Sequence, residues 1–173
     1  MSARVDAYVA LGSNVDAIAR VRQAAALLRG LHADVRFSAC YQNVAVGFEG
    51  ADFINAVAVF ATAQTLPALV AELHTVEERC GRRRDDPKWA PRAMDLDVLL
   101  LGRSIEHAHE ANLPRADLLR RAYMLGPAAE LAPRLIHPQV RRPLGDLWRE
   151  LQPQTPPLQR LDLDLNREPP QAL

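Results

Sequence analysis

Lysine is almost absent. Of 21 basic residues only Lys88 is lysine, and no G-x-x-x-x-G-K-[ST] run exists, which excludes a P-loop nucleotide site. Cysteine is scarce as well: Cys40 and Cys80 make no disulfide framework and read as buried reduced thiols of a cytosolic protein. Aromatic residues reach only 5% of the chain, which argues against a sheet that stacks RNA bases. Neither sign of charge is in excess. Lys+Arg 21 balance Asp+Glu 21, so nothing draws the whole surface to nucleic acid or to an anionic membrane. No apolar stretch is long or continuous enough to span a bilayer. Met1 to Asp6 holds no apolar leader core, so the expected location is cytoplasmic.

What is present is globular composition, 49% hydrophobic and 24% charged over 173 residues, enough for one domain. Arg4 to Gly12 reads as a first strand, and Asn14 or Asp16 as the cap of a helix to about Leu31. Val35 to Tyr41 alternates like a second strand, Val44 to Asp52 reads as a loop, and Phe53 to Thr62 as a third strand. Thr65 opens a second helix that Gly81 ends, and Met94 to Leu101 forms a fourth strand. The order β-α-β-β-α-β predicts a ferredoxin-like α+β fold, an antiparallel sheet with helices packed on it and C-terminal additions. Helical turns are expected at Asp117–Arg121 and between Pro127 and Pro133, and a short helix around Trp148. The domain is expected over residues 1–152, with a weakly ordered Pro-rich extension over 153–173.

Asp95 and Asp97 are the sharpest chemical feature. Residues i and i+2 of a strand share a face, so their carboxylates converge, while Met94, Leu96, Val98 and Leu100 face the other way. Paired carboxylates repel unless a proton or cation neutralises them, and hard oxygen ligands favour Mg²⁺ bound together with substrate phosphates. A solvated strand face is the competing reading. Asp162-Leu163-Asp164 has the same spacing without a basic loop before it, and there the solvated reading stands. Arg79, Arg82, Arg83, Arg84, Lys88 and Arg92 crowd the segment ahead of Asp95, and arginine forks match phosphate oxygens. Trp89 sits in this polar loop with little structural reason to be there unless something stacks on it. Glu77 falls on the apolar stripe of the second helix, where a carboxylate needs a partner, a ligand or a route to water. Asn55 and Phe53 share one side of the third strand, an amide and a ring that suit a heterocycle, and Tyr123 could supply a second ring. Ser13 precedes a helix and is a weak candidate for an anion contact.

The run Lys88-Trp89-Ala90-Pro91-Arg92-Ala93-Met94-Asp95-Leu96-Asp97-Val98-Leu99 resembles the signature of the 6-hydroxymethyl-7,8-dihydropterin pyrophosphokinase family. Tyr8 to Asn14, Asp52-Phe53-Ile54-Asn55-Ala56, Glu77 with Gly81-Arg82, and Arg121 to Pro127 resemble further family elements in consistent order, from about Ala7 to Pro138. The resemblance implies pyrophosphate transfer from ATP to the hydroxymethyl group of a reduced pterin in folate biosynthesis, with release of AMP. By it, Asp95 and Asp97 would hold two Mg²⁺ ions on the ATP phosphates, and Arg82 and Arg92 would contact those phosphates from a mobile loop. Arg115, Arg121 and Glu77 would complete the ATP side. Asn55, Phe53, Tyr123 and Trp89 would hold the pterin. A monomer with small-molecule substrates is expected. Departures stand at Arg115 and Ala116, where the family usually has histidine and a bulky residue, at Asn43-Val44-Ala45-Val46-Gly47, and at Ala90. They leave a second reading open, a divergent paralogue that binds pterin or nucleotide with weak or altered activity.

Overall fold

The computed structural model describes residues 3–44, 50–88, 90–109 and 111–168. Strands β1 (Val5–Ser13), β2 (Arg36–Phe37), β3 (Tyr41–Asn43), β4 (Phe53–Thr62) and β5 (Asp95–Leu101) alternate with helices α1 (Ala17–Leu31) and α2 (Leu66–Arg79). The sheet runs β5-β1-β4-β3, every pair antiparallel, with β2 also paired to β4. This is the ferredoxin-like arrangement that the element order predicts.

Both faces of the sheet are covered. Val21, Ala24, Leu28, Leu69, Leu73 and Val76 of α1 and α2 pack on Val9, Leu11, Phe60, Leu96 and Val98. Each fully buried leucine there contributes roughly 2 kcal/mol of transfer free energy. The opposite face is covered by α3 (Ala122–Leu131) and α4 (Leu144–Leu151), whose Met124, Leu125, Ala128 and Leu144 cluster with Tyr8, Val57 and Val59. α3 passes through Pro127, whose ring removes the N–H that would bond to the Tyr123 carbonyl. The sequence pattern confines the turn to the residues after that proline; burial of Met124 and Leu125 carries the helix through it.

Four further differences are visible. The second strand is split, because Ser38 Oγ accepts the Val57 N–H at 2.9 Å and replaces a ladder carbonyl. Between Glu106–His107 (β6) and Asn112–Leu113 (β7) the chain forms a small antiparallel hairpin that the polar sequence conceals. In β5 the pairing shifts: Tyr8 opposes Leu100 and Val9 opposes Val98, so Leu99 is an extra residue. Leu99 and Leu100 therefore both lie in the α3–α4 cluster, and Leu100 is not on the Leu96 face. Finally, the segment expected to be weakly ordered after Gln152 adds β8 (Gln159–Arg160) beside β3 and buries Leu163 and Leu165. Asn166 bonds both the N–H and the carbonyl of Phe37, at 2.8 and 2.9 Å.

Candidate active site

Near the end of the central strand, Gly12 lies between Asp95 on β5 and Asn55 on β4. A Cβ at Gly12 would stand 3.0 Å from Asn55 Oδ1, so glycine keeps this end of the sheet open. Above it, on the α3–α4 side, is a cavity of about 210 Å³. One half of its wall is aromatic and amide, from Phe53, Asn55, Asn43 and Tyr123. The other half is charged, from Asp95, Asp97, Arg115 and Asp117. Asn55 is buried and donates from Nδ2 to Asn43 Oδ1, which fixes the direction of its amide.

Each aspartate has its own arginines. Arg82 Nη1 bonds Asp95 Oδ1, and Arg92 Nε lies 3.8 Å from Asp95 Oδ2. Arg115 Nη1 lies 3.3 Å from Asp97 Oδ1, and its Nη2 3.6 Å from Asp117 Oδ2. Burial raises the Asp97 pKa, with Arg115 opposing the rise and Asp95 adding to it. Arg121 reaches Asp117 only at 4.0 Å, is half exposed, and does not line the cavity. Among the described residues no group of three or more His, Cys, Asp or Glu is placed to hold a metal by itself. A cation at the Asp95–Asp97 pair needs further oxygen ligands, from water or a bound molecule.

Glu77 does not line the cavity, nor does it reach water. It lies beneath β5 on the α2 side, its side chain only 5% exposed. β5 is a sheet edge, so its outward N–H groups have no strand partner; Glu77 accepts that of Leu96 at 2.7 Å. The same oxygen accepts Arg82 Nη1 at 2.9 Å, so Glu77 aims Arg82 at Asp95. Burial pushes the Glu77 carboxyl up to about 7, against the pull of the Leu96 N–H and Arg82.

The basic loop is tied at both ends. At its start Gly81 takes φ +93°, and Arg20 stacks where a side chain would be. At its end Asn14 Oδ1 accepts the Arg92 N–H at 2.6 Å, and Ser13 Oγ donates to the Ala93 carbonyl at 2.6 Å. Ser13 is thus a backbone latch and not an anion contact, and Asn14 latches the loop and caps no helix. Asp16 occupies the first-cap position of α1 with φ 46° and makes no side-chain cap bond. Trp89 lies outside the described residues, as does the middle of the 44–52 loop. Asn43 and Asp117 are cavity residues that sequence reasoning missed. Asn43 offered a signal, a polar residue at a strand end before a Gly-containing loop; Asp117 offered only its place between Arg115 and Arg121.

Fold and site define a ferredoxin-like α+β protein whose cavity joins a carboxylate–arginine half to an aromatic–amide half. The model of the 7,8-dihydro-6-hydroxymethylpterin-pyrophosphokinase family matches residues 8–133, and the chain belongs to that family. Among its relatives, the 2-amino-4-hydroxy-6-hydroxymethyldihydropteridine pyrophosphokinase of Aquifex aeolicus is 32% identical over 145 residues, 83% of this chain and 90% of that protein. The Bacillus subtilis protein of the same name is 35% identical over 130 residues, 72% of this chain and 77% of that one. A solved structure of Plasmodium falciparum HPPK-DHPS with pteroate matches with a TM-score of 0.69 at 12% identity, and the match covers 89% of this chain and 46% of that one. At that identity the likeness is one of fold.

Proposed function

We propose that the chain transfers pyrophosphate from ATP to the hydroxymethyl group of 6-hydroxymethyl-7,8-dihydropterin, giving AMP and the pterin diphosphate for folate biosynthesis. The observation that carries this reading is the two-part cavity: a buried, oriented amide in one wall with Phe53 and Tyr123, and in the other two carboxylates paired with arginines. Family membership names the substrates, and the two unlike halves of the cavity support a separate place for each. The Asn55 amide, held by Asn43, reads the pterin edge while Phe53 and Tyr123 provide its rings. Trp89, outside the described residues, is assigned to the pterin side by the family pattern.

The hydroxymethyl oxygen attacks the β-phosphorus of ATP. The bond from that phosphorus to the oxygen bridging the α-phosphorus breaks, AMP leaves, and the hydroxyl proton is released. Negative charge shifts onto the leaving oxygen, so fixed cationic donors are what the protein must supply. Arg82 and Arg92, aimed by Glu77 and by the Asn14 latch, contact the phosphates from the loop. Arg115 contacts them from the rigid side, with Arg121 further out. Asp95 and Asp97 fit Mg²⁺, two ions in the family pattern: they are hard oxygen donors with no thiolate or imidazole among the cavity residues. When bound, Mg²⁺ offsets phosphate charge and fixes the polyphosphate. No helix among the described residues is long and apolar enough to cross a membrane, and the reading is of a cytoplasmic monomer.

The competing reading, a pterin- or nucleotide-binding module, is favoured by Arg115 and Ala116. Incubation with ATP, Mg²⁺ and 6-hydroxymethyl-7,8-dihydropterin separates the two. AMP with pterin diphosphate supports the enzyme; ADP rejects the reaction class; binding without turnover supports the module.

A further inference from the structure

The arginines on the two aspartates are held differently. Arg82 and Arg92 belong to the two ends of the basic loop and are held by its ties to Glu77 and Asn14. Arg115 is fixed to the sheet: its N–H bonds the carbonyl of Leu99 at 3.0 Å, the extra residue of the β5 bulge. Loop motion cannot withdraw it. Its guanidinium spans Asp97 and Asp117, and its Nε is buried with no hydrogen-bond partner among the described residues. A buried guanidinium N–H without an acceptor marks a missing oxygen.

We propose that Arg115 is the resident counter-cation of Asp97 and a direct competitor of the divalent ion. The ion is kept from Asp97 until a polyphosphate arrives. The polyphosphate offers oxygens to Arg115, including the unmet Nε, and draws its guanidinium off the carboxylate. Ion and nucleotide therefore enter together, and the free protein holds divalent ions poorly. A guanidinium 3.3 Å from a metal-ligand oxygen repels an incoming dication and occupies its ligand, so removing it strengthens metal binding at least about tenfold. The inference rests on the placement of metal and phosphates under the proposed function.

Mn²⁺ is the probe, with the electron paramagnetic resonance signal of the free ion as the readout. Wild type, Arg115→Gln and Arg115→Lys are titrated with and without α,β-methylene-ATP. Without nucleotide, Arg115→Gln is expected to bind Mn²⁺ at least about tenfold more tightly than wild type, while Arg115→Lys, which keeps the charge, stays close to wild type. Adding Asp97→Asn to Arg115→Gln is expected to abolish the gain. Equal affinity of wild type and Arg115→Gln overturns the inference and leaves the proposed function standing, as does a gain that survives Asp97→Asn. If the analogue binds but recruits no Mn²⁺ to any of the proteins, the placement of metal at the aspartates falls, and the inference with it.

Discussion

Asp-Leu-Asp occurs twice in this chain, at 95–97 and at 162–164. In both copies the leucine is buried in the same cluster under α1 and α2, and the flanking aspartates point away from it. There the likeness stops. Asp95 and Asp97 stand on a strand beside the open end of β1, Asp95 paired with Arg82 and Arg92 and Asp97 with Arg115. Asp162 and Asp164 lie on an irregular surface segment, where Asp164 accepts the Asn166 N–H and pairs with Arg167 at 3.2 Å. One copy forms a charged cavity wall with each carboxylate paired to arginine, and the other lines a surface groove beside Glu130 and Arg160. The tripeptide sets spacing and burial; the neighbouring chain decides what surrounds the carboxylates.

The difference can be broken from either side. Asp95→Ala or Asp97→Ala is expected to lower turnover by about 10³ or more while the fold persists, since both partly exposed carboxylates line the cavity and lie outside the hydrophobic core. Circular dichroism with a coupled AMP assay checks it. Arg92→Ala comes next: kcat falls by about 10²–10³ and ATP affinity changes little, because a positioned fork follows charge as the leaving bond breaks. Arg83, exposed beside Asp85, changes neither when replaced by Ala. Equal losses in ATP affinity and kcat/KM for Arg92→Ala, with kcat kept, would show that Arg92 only holds substrate. At the second copy the damage moves to stability. Leu163→Ala is expected to cost about 2–4 kcal/mol by urea unfolding with kcat preserved, since it empties a core position.

Glu77→Gln sharpens the contrast through pH. The folded pKa of about 7 lies above the ordinary value of 4.5, so the folded state keeps a proton that the unfolded chain has lost. Its contribution is complete below about pH 4.5 and disappears as pH rises through 7. Glu77→Gln is expected to remove that fall, on the order of 2 kcal/mol between pH 4.5 and 7, seen in unfolding free energies across the range. Smallest of all, Asp162→Ala should stay within about 0.5 kcal/mol and leave turnover alone. Damage from Asp162→Ala equal to that from Asp95→Ala would end the distinction between the copies.

The elements with strong period were legible in the sequence: β1, α1, β4, α2 and β5 lie close to where alternation and helical spacing put them. The carboxylate pair, Asn55 with Phe53, and the loop arginines were also legible, because strand spacing and local crowding are written in consecutive residues. What escaped depends on distant partners. Ser38 breaks a strand because Val57 lies opposite it, and the Leu99 bulge exists only in the pairing with β1. Glu77 looked like a misfit on an apolar stripe until the edge of β5 supplied the Leu96 N–H. Pro127 and the prolines after Gln152 mislead for one reason: local chain stiffness is written in consecutive residues, whereas burial of Met124, Leu125, Leu163 and Leu165 depends on distant partners.

The late segment that joins β3 also sets the order in which the chain can be completed during synthesis. Arg160 pairs with Tyr41, Asn166 clasps Phe37, and Arg29 bonds the carbonyl of Leu165. These are among the longest sequence separations in the molecule, and their loop closure comes late. Until residues 159–166 leave the ribosome, the outer side of β3 is an unpaired edge beside an unfilled core, the kind of surface on which chaperones act.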